Sequence, residues 1–578
     1  MISGALGRFA AAITVVFFVL VWGSRLTVLL LPDPGPEKLL DLFLIAVVLA
    51  AFGWFILRKH RLPSQEDAVP RSVWLQASVA PIVASTMLLI GWFRSGGYPT
   101  WVLKGDMIWN TYQSLFIHAD GGVGFGERSN SAALTNLLFA VGYGPLPDPS
   151  LGHIFQVHAW VLLAIGVVTS FVSGSFTALR AKGLNPFVGS LLTFIVGWLP
   201  FTGVLFFQIS EAGHANTFVS YMLLWLSVLI YGERTMAPKT RIALLLALTV
   251  VIAASWAPLV VFPVSLASVL FVLVWNSPDK GGLKSWVLPI LAFAQAGSYA
   301  IFITLPDFRT DQQALGNGGW QFPISLQDVI VSTTVLLSFA VVTFWLANRK
   351  HPRQSEVVLT SIGLFAALGF ATPALGFLLL QCLGTDDLMG YYPVKFVSFL
   401  LVLVAGLLIT QVAALIPRSG KALTQLLIAV LCALPLIWAG VMVPSFTRSF
   451  DQMTMAPTAI VSRAPLTAEQ IQGMNRLVKI FDSNRKGANL VLDSDEWVQE
   501  LSNNYLIQLS VEKSSDPVRH FFMANQRPWD DEDLCDVVRI WNRDVVVYTS
   551  PDEVAQTEAR FADCPVRDRV SLVAHPGN

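Results

Sequence analysis

A chain of 578 residues that is 54% hydrophobic and 13% charged, with a mean hydropathy of +0.60, is too apolar for a soluble globular protein and reads as a membrane protein. Its 38 Lys and Arg are balanced by 38 Asp and Glu without a basic block, which removes the electrostatic signature of a nucleic-acid binder. Four cysteines are too few for a disulfide scaffold.

A helix needs about 20 apolar residues to cross roughly 30 Å of hydrocarbon. About thirteen runs of that kind follow one another at 9–31, 39–57, 73–93, 154–177, 187–207, 217–231, 242–256, 259–275, 286–305, 329–346, 357–381, 396–415 and 422–443. The runs 242–256 and 259–275 meet at Pro258 and make either two spans or one kinked span. Arg8 precedes the first run, but that run is long and no small-residue cleavage site follows, so it is expected to stay as an anchor.

Basic residues set the expected orientation. Alternate loops carry Arg58, Lys59, Arg61 and Arg71, then Arg180 and Lys182, Arg234, Lys239 and Arg241, Lys280 and Lys284, Arg349, Lys350 and Arg353, and Arg418 and Lys421. The opposite loops are longer in total and offer only Lys38, Arg94, Lys104, Arg128, Arg309 and Lys395. The positive-inside rule therefore predicts a plasma-membrane protein with a cytoplasmic N-terminus and an extracytoplasmic C-terminal tail. The alternation holds through every loop only if Pro258 separates two spans.

The first large outer segment, 94–153, is too long for a connector and too apolar for disorder. Within it Ile108, Tyr112, Leu115 and Phe116 recur at helical spacing after Asp106, with Asn110, Gln113 and His118 on other faces. That pattern predicts a short helix in the membrane interface, apolar side down. Asp106 stands at its start, either as a simple N-cap or as a reactive carboxylate. The glycines of 120–127 lack dinucleotide-loop spacing and are read as turn-forming. Arg128 follows them and suits a phosphate or a lipid headgroup.

Further along, Glu211, His214 and Asn216 crowd a tight outer hairpin. Such groups at membrane depth are costly unless they meet water, each other or a ligand. The bland alternative is a hydrogen-bonded turn. The last outer cluster holds Asp386, Asp387, Tyr391, Tyr392 and Lys395. There an ammonium can pair with a phosphate while the tyrosines stack on a sugar; an aromatic belt with a snorkelling lysine is the plain reading. Metal-ligand spacing is absent, with no HExxH and no CxxC pair, and His153 and His158 are out of helical phase. A single general base opposite a phosphate clamp remains, and it suits displacement at an anomeric carbon whose leaving group is a lipid phosphate.

From 445 onward the chain turns polar and mixed. Helices are expected at 466–481, 496–509 and 552–561, and strands at 489–492, 545–548 and 570–573, which together describe a small α/β domain at 445–578 beside a membrane domain at 1–444. In an oxidising exterior Cys535 and Cys564 are expected to pair, closing a loop of about thirty residues and adding roughly 3 kcal/mol; the alternative is two unpaired thiols.

This layout resembles the GT-C superfamily, integral-membrane glycosyltransferases that use polyprenyl-phosphate sugars as donors. The resemblance rests on Gly105-Asp106 with its interfacial helix, on Glu211-x-x-His214-x-Asn216, and on Tyr391-Tyr392-x-x-Lys395. More narrowly the chain is similar to actinobacterial cell-wall arabinofuranosyl- and mannosyltransferases and to related actinobacterial membrane proteins. The resemblance implies that Asp106 is the general base, that Glu211 and His214 assist it or hold a metal, and that Lys395 with Arg128 binds donor phosphate. Tyr391, Tyr392, Asp386, Asp387 and Asn216 would line the donor pocket, and a wall glycan, lipoglycan or protein would be the acceptor. Several superfamily members carry paired acidic residues in the first loop, whereas Met107 follows Asp106 here, which leaves a divalent metal as an open option. The rival readings are a transporter or flippase of lipid-linked sugars and a non-catalytic wall-assembly subunit.

Overall fold

The computed structural model describes residues 4–31, 35–59, 70–124, 132–210, 212–277, 282–306, 326–350, 356–382, 390–441, 465–510, 517–518 and 530–574. The membrane body is helical. It runs through α1 (Gly4–Leu30), α2 (Gly35–Lys59), α3 (Arg71–Arg94), α4 (Met107–Ala119), α5 (Ala133–Gly142), α6 (Leu151–Arg180), α7 (Pro186–Trp198), α8 (Gly203–Ser210) and α9 (Asn216–Gly232). It continues through α10 (Pro238–Trp256), α11 (Val261–Trp275), α12 (Val287–Tyr299), α13 (Leu326–Lys350), α14 (Glu356–Gln381), α15 (Tyr391–Leu415) and α16 (Ala422–Val441).

Among the described residues, ten helical stretches are long and apolar enough to cross a membrane. The chain is a multi-pass membrane protein. Four of the expected runs fall outside a one-to-one match with those ten. The run 39–57 lies on α2, which is not among them; 217–231 forms the 17-residue helix α9; and 242–256 and 259–275 fall together in a single apolar stretch of 38 residues, Pro238–Trp275. That stretch is broken: Trp256 is extended, at φ −162° and ψ 104°, and α10 and α11 pack against each other across the short 3-10 turn Ala257–Val260. Pro258 sits at the start of that short turn, where its missing N–H falls among donors that a helix start leaves unpaired anyway.

Two helices form the centre. Residues 216–231 of α9 are all buried, as are residues of α15 through its membrane window, and a helix that is apolar on every side belongs inside a bundle. The peripheral helices instead turn large apolar side chains outward, among them Leu30, Ile82, Phe93, Phe293, Phe302 and Leu431, as lipid contact requires. Some polar groups inside the bundle are paired between helices: Thr177 and Thr410 hydroxyls lie 2.8 Å apart, and Thr343 donates to Gln411 Oε1 at 3.0 Å.

After 465 the chain forms α17 (Ala468–Ser483), β1 (Ala488–Val491), α18 (Glu496–Ser510), α19 (Asp531–Trp541), β2 (Val545–Thr549), α20 (Val554–Arg560) and β3 (Val570–Ala574). The strands make one parallel sheet in the order β1-β2-β3, with Ala488 beside Val545 and Val545 beside Val570. Helix α19 has no counterpart among the sequence expectations. Its signal was a capping box, Asp530 with Asp533, closed at the far end by Asn542 in the left-handed region at φ 52°. Cys535 and Cys564 form a disulfide, with Cα atoms 5.6 Å apart. The boundary expected near 444 lies outside the described residues.

One face of this unit docks on the segment after α3. Tyr98 donates to Asn475 at 2.8 Å, the Leu151 amide to Asp482 at 2.9 Å, Arg485 pairs with Asp148 at 3.0 Å, and the buried Tyr505 donates to the Leu103 carbonyl at 3.3 Å. Met474, Leu477, Phe481 and Tyr505 consequently belong to the same apolar core as the helical body, while Leu534, Val537, Val545 and Phe561 build a second core on the sheet.

Candidate active site

Helix α4 starts where the sequence pattern places it, but its environment differs from that of a helix lying on lipid. Ile108 and Tyr112 are buried, and so are Asn110, Thr111, Gln113, Ser114 and His118. The polar face can be buried because it is satisfied. Asn110 donates to the Asp106 carbonyl at 2.8 Å and to the Gly213 carbonyl at 3.3 Å, and the His118 ring nitrogens approach the Ala140 and Leu146 carbonyls at 3.1 and 2.6 Å. Beside them Ser114, Tyr143 and His158 form a buried chain with separations of 2.7 and 2.6 Å, and desolvation drives the Tyr143 hydroxyl pKa upward. This chain holds α4 against α5 and α6.

Asp106 occupies the N-cap position, yet its carboxylate makes no capping hydrogen bond. The plain N-cap reading therefore does not account for it. Its side chain is 53% exposed, with Oδ2 3.7 Å from Nε2 of the buried His214. Burial, and secondarily the positive charge of Lys395, holds the His214 pKa well below the usual histidine range. The ring is neutral near pH 7, so this approach is a polar contact and not an ion pair.

Two glycines bring these residues together. Gly105 and Gly213 have φ of 58° and 70°, a region open to glycine at little cost. A Cβ on Gly105 would run into the Ala212 carbonyl, and one on Gly213 would run into Lys104 O and stand 2.6 Å from the Asp106 nitrogen. The turns before α4 and before α9 thus touch backbone to backbone, closed by the Asp106 amide donating to Ala212 O at 2.9 Å.

Lys395 enters from a third segment. It lies on the first turn of α15 and is 5% exposed. Its ammonium donates to Asn216 Oδ1 at 3.0 Å, at the first residue of α9, and stands 5.2 Å from the centre of the Trp256 ring. Asn216 in turn donates to the Ser255 carbonyl at 2.9 Å, and Ser255 and Ser220 hydroxyls are 2.9 Å apart. Asp106 and Lys395 lie within electrostatic reach of one another. The sequence reading put Lys395 openly at the headgroup level; the structure turns it inward, because a desolvated cation is tolerable only beside acceptors, a π-face and an opposite charge.

Trp256 walls this end of the bundle, tilted against Phe396 and Phe399 and stacked with Tyr392 at 6.1 Å. Glu211, Arg128, Asp386, Asp387 and the Tyr391 side chain lie outside the described residues. The structure therefore gathers Asp106, His214, Asn216, Tyr392 and Lys395. Sequence reasoning missed Trp256 and Ser255, whose only signal was their place at the end of an apolar run, and the Gly105–Gly213 contact, which pairs residues remote in sequence.

No family model, no curated protein and no solved structure matches the chain. Its chemistry must be read from this geometry alone: a half-exposed carboxylate, a neutral imidazole and an interior cation held at one end of α9, α10 and α15. Among the described residues no group of three or more His, Cys, Asp or Glu gathers as a metal site. Asp106 and His214 supply two groups of ligand type.

Proposed function

We propose that the protein is a membrane glycosyltransferase of GT-C type, working on the outer face of the plasma membrane with the α/β unit outside. It would move a sugar from a polyprenyl-phosphate carrier to a hydroxyl of a cell-envelope glycan, lipoglycan or protein. The observation that carries the reading is the convergence of Asp106, His214 and Lys395 from three separate segments at one end of the bundle.

In this scheme the acceptor hydroxyl approaches the exposed side of Asp106. Its oxygen forms a bond to the anomeric carbon as the carbon–oxygen bond to phosphate breaks, both electrons leaving with the lipid phosphate. The hydroxyl proton passes to the Asp106 carboxylate, a step of general-base catalysis. His214, neutral and in contact with Asp106, orients the carboxylate. Lys395 supplies positive potential against the phosphate as its negative charge grows, and Tyr392, half-buried and backed by Trp256, offers an aromatic edge to the sugar ring.

The test is Asp106→Asn in isolated membranes supplied with labelled polyprenyl-phosphate sugars. An amide cannot take the proton, so transfer should drop by roughly 10²- to 10⁴-fold at unchanged protein level. Transfer equal to wild type would remove Asp106 as the base.

A further inference from the structure

At the opposite ends of α9 and α10, roughly 25 Å from Asn216 at 1.5 Å per helical residue, lies a cavity of 680 Å³. Its wall carries Arg180, Arg234, Lys239 and Arg241, and no carboxylate among the described lining residues. Four cations in one recess repel one another and persist only where something offsets them. Some of that offset is visible among the described residues. Arg241 donates to the Tyr231 carbonyl at 2.7 Å and feels Glu233, whose Oε1 also accepts from the Thr235 amide at 2.7 Å. Lys239 donates to the Ser285 hydroxyl and stands 4.7 Å from the Trp286 ring centre. Among the described residues, one buried carboxylate, Glu233, stands beside these four cations.

The helix geometry adds to that potential. Lys239 and Arg241 sit in the first turn of α10, which has no acidic residue. Cations there oppose the positive end of the helix dipole, where an anion is favoured. An anionic group in the cavity would meet the cations and this helix start together.

The remaining wall is apolar. Leu270, Leu273 and Val274 of α11 line it with Leu359, and Leu273 is 46% exposed beside the outward-facing Phe271, Val272 and Trp275. The recess therefore borders the lipid-facing surface as well as the basic loops. A soluble anion would use the cations and leave this apolar side unused.

We propose that this cavity binds an anionic phospholipid, its phosphodiester headgroup among Arg180, Arg234, Lys239 and Arg241 and its acyl chains running out along Leu273. The volume falls within the range of small-ligand cavities, and basic recesses between membrane helices are suited to anionic headgroups. The site is separate from the Asp106 end and does not depend on the transfer reaction.

The experiment uses purified full-length protein in neutral detergent, with native mass spectrometry counting bound lipid against added phosphatidylglycerol or phosphatidylcholine. One phosphatidylglycerol should bind in preference to phosphatidylcholine. Arg234→Gln with Lys239→Gln should weaken it by roughly tenfold to thirtyfold, while Lys421→Gln, an exposed cation outside the cavity, should not. Equal retention of both lipids by the wild-type protein would overturn the proposal without recourse to any variant. So would unaltered phosphatidylglycerol binding by the double variant. Glycerol phosphate filling the site as well as the intact lipid would overturn the lipid assignment in favour of a soluble phosphate ester.

Discussion

Replacing Gly213 by alanine probes the contact on which the Asp106 geometry rests. The added Cβ would stand 2.6 Å from the Asp106 nitrogen and closer still to Lys104 O and Met107 N, all backbone atoms that cannot rotate away. Carbon contacts settle near 3.5 Å, so the two turns must part by roughly 1 Å. Left-handed φ alone costs a non-glycine residue about 1 to 2 kcal/mol. Parting the turns also loses the Asp106 amide bond to Ala212 and the Asn110 bond to Gly213, each worth about 1 kcal/mol. Gly213→Ala should therefore cost about 3 to 4 kcal/mol. Gly144 is the control, since its φ is 74° and nothing lies within 4 Å of a Cβ there; Gly144→Ala should cost only the backbone strain. Thermal melts of the detergent-solubilised protein compare the two. Sugar transfer in membranes should fall roughly 10²-fold for Gly213→Ala and stay near wild type for Gly144→Ala. Equal melting shifts with full transfer in both variants would refute the idea that this backbone contact positions Asp106.

Three other outcomes are expected. His214 has a folded-state pKa depressed by burial and by Lys395, so its contribution to stability is complete above the unfolded value near 6.5 and declines as pH drops toward the folded one; in melts taken from about pH 7 to 5, His214→Gln should show a shallower loss than wild type. Asn503 is buried, accepts from the Val491 amide at 2.7 Å and donates to the Val491 carbonyl at 2.8 Å, covering the edge of the sheet as another strand would. Asn503→Ala orphans both groups and should cost about 2 kcal/mol or more, seen as earlier cleavage of the α/β unit in limited proteolysis. Cys535→Ser removes the crosslink over a sequence separation of 29 and should cost roughly 3 kcal/mol; added reductant should then change the proteolysis of the wild type and leave the variant unaffected.

Much of the body was legible because hydrocarbon thickness imposes a length on every crossing segment, so runs such as 73–93 and 396–415 anticipate α3 and α15. The sheet was legible for a similar reason: β-branched clusters at 545–548 and 570–573 match β2 and β3 to within a residue at their starts and ends. Helix α19 escaped because its period is masked by a run of acids that serve as caps.

Local pattern alone thus picked out most of the helices long and apolar enough to cross a membrane and the residue types at their ends, since desolvating a backbone or a charge is a cost each segment meets by itself. Contacts between remote segments decided the rest. Lys395 finds Asn216 across a separation of 179 residues, and Tyr505 reaches Leu103 across 402. The inward turn of the lysine, the burial of the polar face of α4 and the two glycines closing Asp106 onto His214 each need a partner supplied by another part of the chain. A hydrogen bond or a backbone approach of that kind has no periodicity to betray it, and it acquires its energy only when the bundle has excluded water around it.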